Sequence, residues 1–438
     1  MSPLESGLLV FAIVLVFMAI GVPVVFAFMA ANLLGAWLLL GGVPGLLQVV
    51  DQSTSLITSF PLVAVPLFVL MGGLLFHSGL AVRVFDALDV LFGRVPGRLC
   101  YLTVAGSTTF STLTGSSLAN TAMLGSIMVP EMLRRGYSLH MAIGPVVGTG
   151  GLAMLIPPSS LAVLLASLAG ISIGALLIAG LLPGLLLAVL YCLAVWIQVR
   201  INPAVAPAYT VAAVSAAQKR RLVVRNVLPL SLVIFAVVGL IVLGIATPSE
   251  AAAFGALSVA AIAAAQRCLN WRAIRLALQD TVTVTGMVFV LIMASSVFGQ
   301  LMAFSGLSHE VVDWGLALEG GAVPKLMLMF GILLLLGAFV DQISIMLLTI
   351  PVFFPLAKML GFDPVWFGML MLVSLEMSLT TPPFGLLLFV MMGVAPPGTR
   401  LGDVVRAALP YLGCNLVLVA LLILFPAIAL WLPRVLLR

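Results

Sequence analysis

Hydroxyl, amide and helix-breaking residues crowd one stretch of an otherwise apolar chain. From Thr114 to Ser160 it reads TGSSLANTAMLGSIMVPEMLRRGYSLHMAIGPVVGTGGLAMLIPPSS, and a second copy, VDQISIMLLTIPVFFPLAKMLGFDPVWFGMLMLVSLEMSLTTPPFGLL, runs from Val340 to Leu387. Adding 225 carries Pro130 to Pro355, Gly136 to Gly361 and the pair Pro157, Pro158 to the pair Pro382, Pro383 with no gap. Slightly upstream, Ser78-Gly79-Leu80 and Ser305-Gly306-Leu307 repeat at an offset of 227. The chain is a duplication. Its chemistry is the presentation of oxygens and freed backbone groups to an ion or a polar cargo, because paired Gly/Pro-interrupted apolar segments in corresponding halves mark a carrier's binding site.

Composition sets the medium. The 438 residues are 63% hydrophobic and 8% charged, with a mean hydropathy of +1.31, whereas about a quarter of a soluble domain is charged. This is the profile of a polytopic membrane protein. The net charge of +5 sits in short loops without interleaved aromatics, which fits membrane topology better than nucleic-acid binding. Cys100, Cys192, Cys268 and Cys414 form no CxxC, so no zinc site or disulfide framework is indicated. Neither Lys nor Arg precedes Arg83, so the first apolar segment is expected to be retained rather than cleaved.

A span needs about 20 apolar residues. The first repeat, 1–199, reads as scaffold helices within 1–77, with crossings near 7–24, 25–41 and 61–77 and a lipid-parallel or re-entrant piece at 46–60. An amphipathic interfacial arm follows at 80–97, then a hairpin at 99–130, a broken helix at 138–170 and a crossing at 175–199. The hairpin is inferred from the Gly/Ser/Thr crowd at its centre, since irregular backbone at membrane depth needs protein or a wet cavity around it. A basic linker spans 200–225. The second repeat, 226–438, has scaffold helices at 226–267, a helix at 280–304, an acidic arm at 305–319, a hairpin at 323–360, a broken helix at 364–395 and a last crossing at 408–432.

Five crossings separate the hairpins, so they enter from opposite faces and the repeats are inverted. With the linker cytoplasmic, fifteen of the 19 Lys and Arg fall inside, and only Lys325, Lys358, Arg434 and Arg438 outside. Setting aside the five linker residues that fix the orientation leaves ten against four. Both termini then face the periplasm or exterior. The expected fold is an all-α polytopic protein of two inverted-topology repeats, each with about five transmembrane helices and one re-entrant helical hairpin.

The words GSSLANTAMLGSIMVPEMLRRGY, LIPPSS, GISIG, ATPSEAAAFGAL, DQISIMLLTIPVFFP, GFDPVWFG and TPPFGLLLFVMMGVAP together resemble the large membrane subunit of tripartite ATP-independent periplasmic (TRAP) transporters, the DctM/SiaM-like family, over nearly the whole chain. The resemblance implies a sodium-coupled importer of small organic acids in the bacterial inner membrane. In it, an elevator domain bearing both hairpins slides against a static scaffold. It also implies two partners, a periplasmic substrate-binding protein and a separate small four-helix membrane subunit. No organic cofactor is implied, only sodium as coupling ion.

Sodium prefers oxygen ligands. The candidates are Ser116, Ser117, Asn120 and Thr121 at the first tip, with backbone at Gly148 and Gly151. Their second-half counterparts are Asp341, Gln342 and Ser344, with Ser378, Thr380 and Thr381 before the second proline pair. Substrate carboxylate would meet half-helix N-termini around Pro157, Pro158, Ser159 and Ser160, and around Thr381, Pro382, Pro383, Phe384 and Gly385, with Ser117. Asp341 could ligate a cation or cap a helix. Glu376, which the offset maps onto Gly151, could anchor the unwound backbone at Thr380 and Thr381. The plain alternative for the Gly/Ser/Thr run is close helix packing.

His77, His140 and His309 have no metal-binding spacing, and all six tryptophans fall near span ends, as an aromatic belt would. An intramembrane hydrolase lacks HExxH, GxSxG and a second aspartate beside Asp341. A stand-alone cation-coupled carboxylate carrier shares the inverted-repeat design. A passive channel fits opposed hairpins least.

Overall fold

The structure, a computed structural model, describes residues 2–57, 60–91, 95–114, 117–157, 159–207, 215–337, 341–382 and 385–437. Among them there are helices and turns and no strand. The first half contains α1 (Pro3–Ala19), α2 (Val24–Leu39), α3 (Val43–Ile57), α4 (Ala64–His77), α5 (Leu80–Leu91), α6 (Arg98–Thr114), α7 (Ser117–Arg134), α8 (Leu139–Thr149), α9 (Leu152–Leu155), α10 (Ser160–Ala169) and α11 (Ile173–Ile201). The second contains α12 (Ala216–Leu222), α13 (Leu228–Val242), α14 (Pro248–Ala265), α15 (Trp271–Phe304), α16 (Leu307–Ala317), α17 (Ala322–Gly337), α18 (Gln342–Met359), α19 (Pro364–Thr380), α20 (Leu386–Val394), α21 (Leu401–Leu424) and α22 (Ala427–Leu436).

The offset of 225 reappears in the backbone: α7 begins at Ser117 and ends at Arg134, and α18 begins at Gln342 and ends at Met359. Gly136 and Gly361 both adopt the left-handed conformation, with φ of 83° and 79°. A side chain is strained there, so glycine ends each hairpin arm. Two residues on, Ser138 and Asp363 cap α8 and α19 by accepting backbone N–H groups. Gly79 and Gly306, the glycines of the upstream repeat, share a left-handed turn as well, with φ of 75° and 77°.

Local chemistry explains the other helix ends. In Thr-Pro-Ser-Glu before α14, Pro248 occupies the first turn, where its missing N–H costs nothing. Thr247 Oγ accepts from Glu250 N (3.3 Å) while Glu250 Oε2 accepts from Thr247 N (2.7 Å), a reciprocal capping box. At the end of α7, Glu131 pairs with Arg134 at 2.7 Å and Arg135 at 2.5 Å. Burial raises the Glu131 carboxyl, but hydrogen bonds from both arginines outweigh it and hold it below the usual range.

Six helices among the described residues are long and apolar enough to cross a membrane: Ile173–Ile201, Ala217–Val242, Pro248–Ala265, Trp271–Phe304, Gln342–Met359 and Leu401–Leu424. Large apolar side chains such as Leu232, Phe235, Leu257 and Val282 point outward, as a lipid-facing surface requires.

Several boundaries move. The helix expected at 280–304 begins at Trp271, capped by Asn270 and carrying Arg272 and Arg275 in its first turns, so hydropathy alone misses its polar end. The expected linker 200–225 is partly helical, because Ser215 caps α12, which runs through a π-turn at Val223–Val227 into α13. The last crossing is α21 at Leu401–Leu424, not 408–432; the chain breaks at Phe425-Pro426 and α22 is a separate short helix. The piece at 46–60 contains a regular helix, α3.

Packing alternates between halves. α7 packs on α20 and α18 on α10, so the second arm of each hairpin meets the half-helix that follows the other half's proline pair. α4 packs against α14 and α15. At one edge of that layer His77 Nε2 lies 2.7 Å from Asp280 Oδ2.

Candidate functional site

The starts of α7 and α18 open onto one cavity of about 340 Å³. Ser117 enters it from the start of α7, Asp341 and Gln342 from the start of α18, and Ser160 from the start of α10. Leu379 and Leu386 bring in the flanks of the second break. The opposite wall is apolar, with Val65 and Val69 of α4 and Val284, Met287 and Val288 of α15. Four polar groups at the starts of α7, α10 and α18 thus share one cavity with aliphatic side chains of α4 and α15.

The polar groups are held in place from behind. Asp341 caps α18: Oδ2 accepts from Ile343 N at 3.1 Å and Ser344 N at 3.2 Å, and the Ser344 hydroxyl donates to Oδ1. Such a cap is worth about 1 kcal/mol. Gln342 Nε2 donates to Leu375 O at 3.1 Å, tying the second tip to α19. Ser159 caps α10 through its bond from Ala162 N, 3.2 Å, leaving Ser160 at the cavity.

At the first tip, Asn120 Nδ2 donates to Ser107 Oγ (2.7 Å) and Ser107 Oγ to the Thr149 carbonyl (2.8 Å). The hairpin is thereby bonded to the broken end of α8. The buried Ser117 Oγ has no hydrogen-bond partner among the described residues, an unmet polar atom beside the cavity that Ser117 lines.

Other expected ligands lie behind the cavity instead of on it. Asn120, Thr121, Ser344, Ser378 and Thr380 are buried, and none lines it. A Cβ on Gly148 would run into the Tyr411 ring, and one on Gly151 into the Glu376 carboxylate; both glycines serve close packing. Thr121 Oγ1 abuts Gly150 in the same way and has no partner among the described residues. The Thr380 and Thr381 hydroxyls both donate to Met377 O, at 3.0 and 2.7 Å.

Glu376 therefore does not anchor the unwound segment: its two oxygens have no partner among the described residues, and the side chain is fully buried. Around the breaks, Pro157 is buried, Pro382 is exposed, and Gly385 starts α20 against the carbonyls of Leu379 and Thr381. Ser116, Pro158, Pro383 and Phe384 lie outside the described residues. Among the described residues no group of three His, Cys, Asp or Glu gathers as a transition-metal site would need.

Residue types carry no cue to the aliphatic wall from α4 and α15, since a Val or Met facing a cavity reads like one facing lipid. Ser107 was visible in the hydroxyl cluster but not its bond to Thr149. Trp366 departs from the expected belt: it is buried, and Nε1 donates to Leu422 O at 2.8 Å.

An all-helical body of broken helices around a tip cavity defines a membrane transporter. The fold is shared with the YdaH transporter of Alcanivorax borkumensis, at a TM-score of 0.58 and 18% identity over 90% of each chain. The family model of the tripartite ATP-independent periplasmic transporter, DctM component, matches residues 11–428, and the chain belongs to that family. It is 32% identical to the C4-dicarboxylate TRAP transporter large permease protein DctM of Pseudomonas aeruginosa over 86% of both chains. It is 30% identical to the sialic acid TRAP transporter large permease protein SiaM of Vibrio cholerae, covering 94% of this chain and 95% of that one. These relatives are permeases, and the hydrolase alternative falls with them.

Proposed function

We propose that this large permease subunit imports a small organic acid across the bacterial inner membrane, driven by sodium. The acid is delivered by a periplasmic binding protein, and the chain works with a small four-helix subunit. The observation that carries this reading is the single cavity bounded by Ser117 and Ser160 of one half and Asp341 and Gln342 of the other. Oxygens suit sodium, and the positive N-terminal ends of α10 and α20 suit a carboxylate.

The broken helices ride together as a moving body, and α4 with α15 forms the static wall it slides along. Valine and methionine make the part of that wall facing the tip cavity smooth, offering no directional bond there. The two halves are inverted repeats, the hairpins enter from opposite faces, and both termini lie on the periplasmic side. A carrier of the same design that works without a binding protein is the second reading, and family membership favours the tripartite one.

The test is reconstitution into proteoliposomes with the small subunit and binding protein, scoring succinate and sialic acid uptake. Uptake that needs both an inward sodium gradient and the binding protein supports the proposal. Uptake without the binding protein favours the stand-alone carrier, and accumulation indifferent to sodium removes the coupling.

A further inference from the structure

A second and larger cavity, about 550 Å³, lies beside the tip cavity. The same three helices line both. On α10 the tip cavity takes Ser160, Leu161 and Leu164, and the larger one Ser167 and Leu168. On α15 the division falls between Val288 and Ile292, and on α18 between Ile343 and Ile350. At a rise of 1.5 Å per residue, the wall between them is about 5–10 Å thick. Leu291 and Leu347 are fully buried within that interval, and Ser295 Oγ donates to Leu347 O at 3.3 Å, fastening α15 to α18 across it.

The larger cavity differs in chemistry. Its lining includes Lys358 at the end of α18, His309 on α16, and the hydroxyls of Ser295, Ser296 and Ser308, and contains no Asp or Glu. Ser308 Oγ is buried without a partner among the described residues. A lysine and hydroxyls lining one cleft walled by apolar helices, with no carboxylate among them, raise the local concentration of small anions.

The geometry points to this cavity as an antechamber on the transport path: a weak site for a small organic anion, Lys358 its positive charge and Ser296 and Ser308 its hydrogen-bond donors. The anion waits there, one wall away from the tip cavity. Parting α18 from α15 at the Ser295–Leu347 bond joins the two spaces. The assignment rests on the transport reading above and adds to it where cargo is held before the hairpins take it. Lys358 has no basic counterpart in the first half, where the offset of 225 gives Leu133, so the antechamber belongs to the second hairpin's side alone.

The probe is a pair of small thiol reagents of opposite charge, sulfonatoethyl and trimethylammonioethyl methanethiosulfonate, applied to Ser296→Cys in the full chain in membranes. The wild type, with its four native cysteines, gives the background. The anionic reagent should react about ten-fold faster than the cationic one after correction for their intrinsic reactivities, the scale of electrostatic enrichment in a charged cleft. Lys358→Gln should abolish that preference and Lys358→Arg retain it. Equal rates, a preference unmoved by Lys358→Gln, or no reaction from either side of the membrane would overturn the antechamber. Sodium-driven uptake by the wild-type complex is scored separately. Uptake without the charge preference sinks the antechamber alone, and the preference without uptake sinks the transport reading alone.

Discussion

Glu376 fills the space that Gly151 leaves by having no side chain, and the two residues are each other's counterparts at the offset of 225. The same pattern recurs where α11 crosses α21. There Tyr191 Oη donates to Asn415 Oδ1 at 2.9 Å and Cys414 Sγ lies 3.5 Å from Leu190 O, each pair 224 residues apart. Positions exchanged by a two-fold operation meet only near its axis. These contacts support two halves related by such an axis, passing between the broken helices and through the crossing of α11 and α21.

The fit of glycine to carboxylate makes Gly151→Ala an overpacking change, expected to destabilise the protein by about 1–3 kcal/mol. Glu376→Ala vacates the space, so the two changes should couple by about 1 kcal/mol or more in a double-mutant cycle. Unfolding in detergent would measure it. Additive effects would mean that the two side chains do not compete for one space.

Tyr191→Phe removes a buried donor and leaves Asn415 Oδ1 without it, at a cost of about 1–3 kcal/mol. Adding Asn415→Leu should recover part of the loss, because removing both partners is cheaper than orphaning one. The same unfolding measurement checks this; a double variant less stable than Tyr191→Phe would contradict it.

Ser117→Ala takes one side-chain oxygen from the residues lining the tip cavity, and Asp341→Ala takes two. Each is expected to raise the sodium concentration for half-maximal uptake several-fold, since 1.4 kcal/mol is a factor of ten. Asp341→Ala should also lower stability by about 1 kcal/mol through the lost cap of α18, whereas Ser117→Ala should not. Normal uptake by both variants at limiting sodium would remove these residues from the ion site.

Much of this architecture could be read from residue types. Gly136 and Gly361 announce helix ends because glycine adopts their left-handed turn without strain, and Thr247-Pro248-Ser249-Glu250 announces a helix start through its capping box. What stayed hidden was the meaning of residues that serve two purposes. Gly148 and Gly151 look like glycines that free a backbone, yet they accommodate Tyr411 and Glu376. Trp366 looks interfacial, yet its indole N–H is a donor inside the bundle. The polar end of α15 escaped because hydropathy falls where a helix leaves lipid, long before its hydrogen bonding stops.

The central claim is that two hairpins from opposite faces bring their tips to one site. Arg134 stands exposed at the base of the first and Met359 at the base of the second. Arg134→Cys and Met359→Cys, treated with an impermeant thiol reagent in right-side-out and inverted vesicles, test it most directly. Met359→Cys should label only from the outside and Arg134→Cys only from the inside; labelling of both from one side would contradict the account.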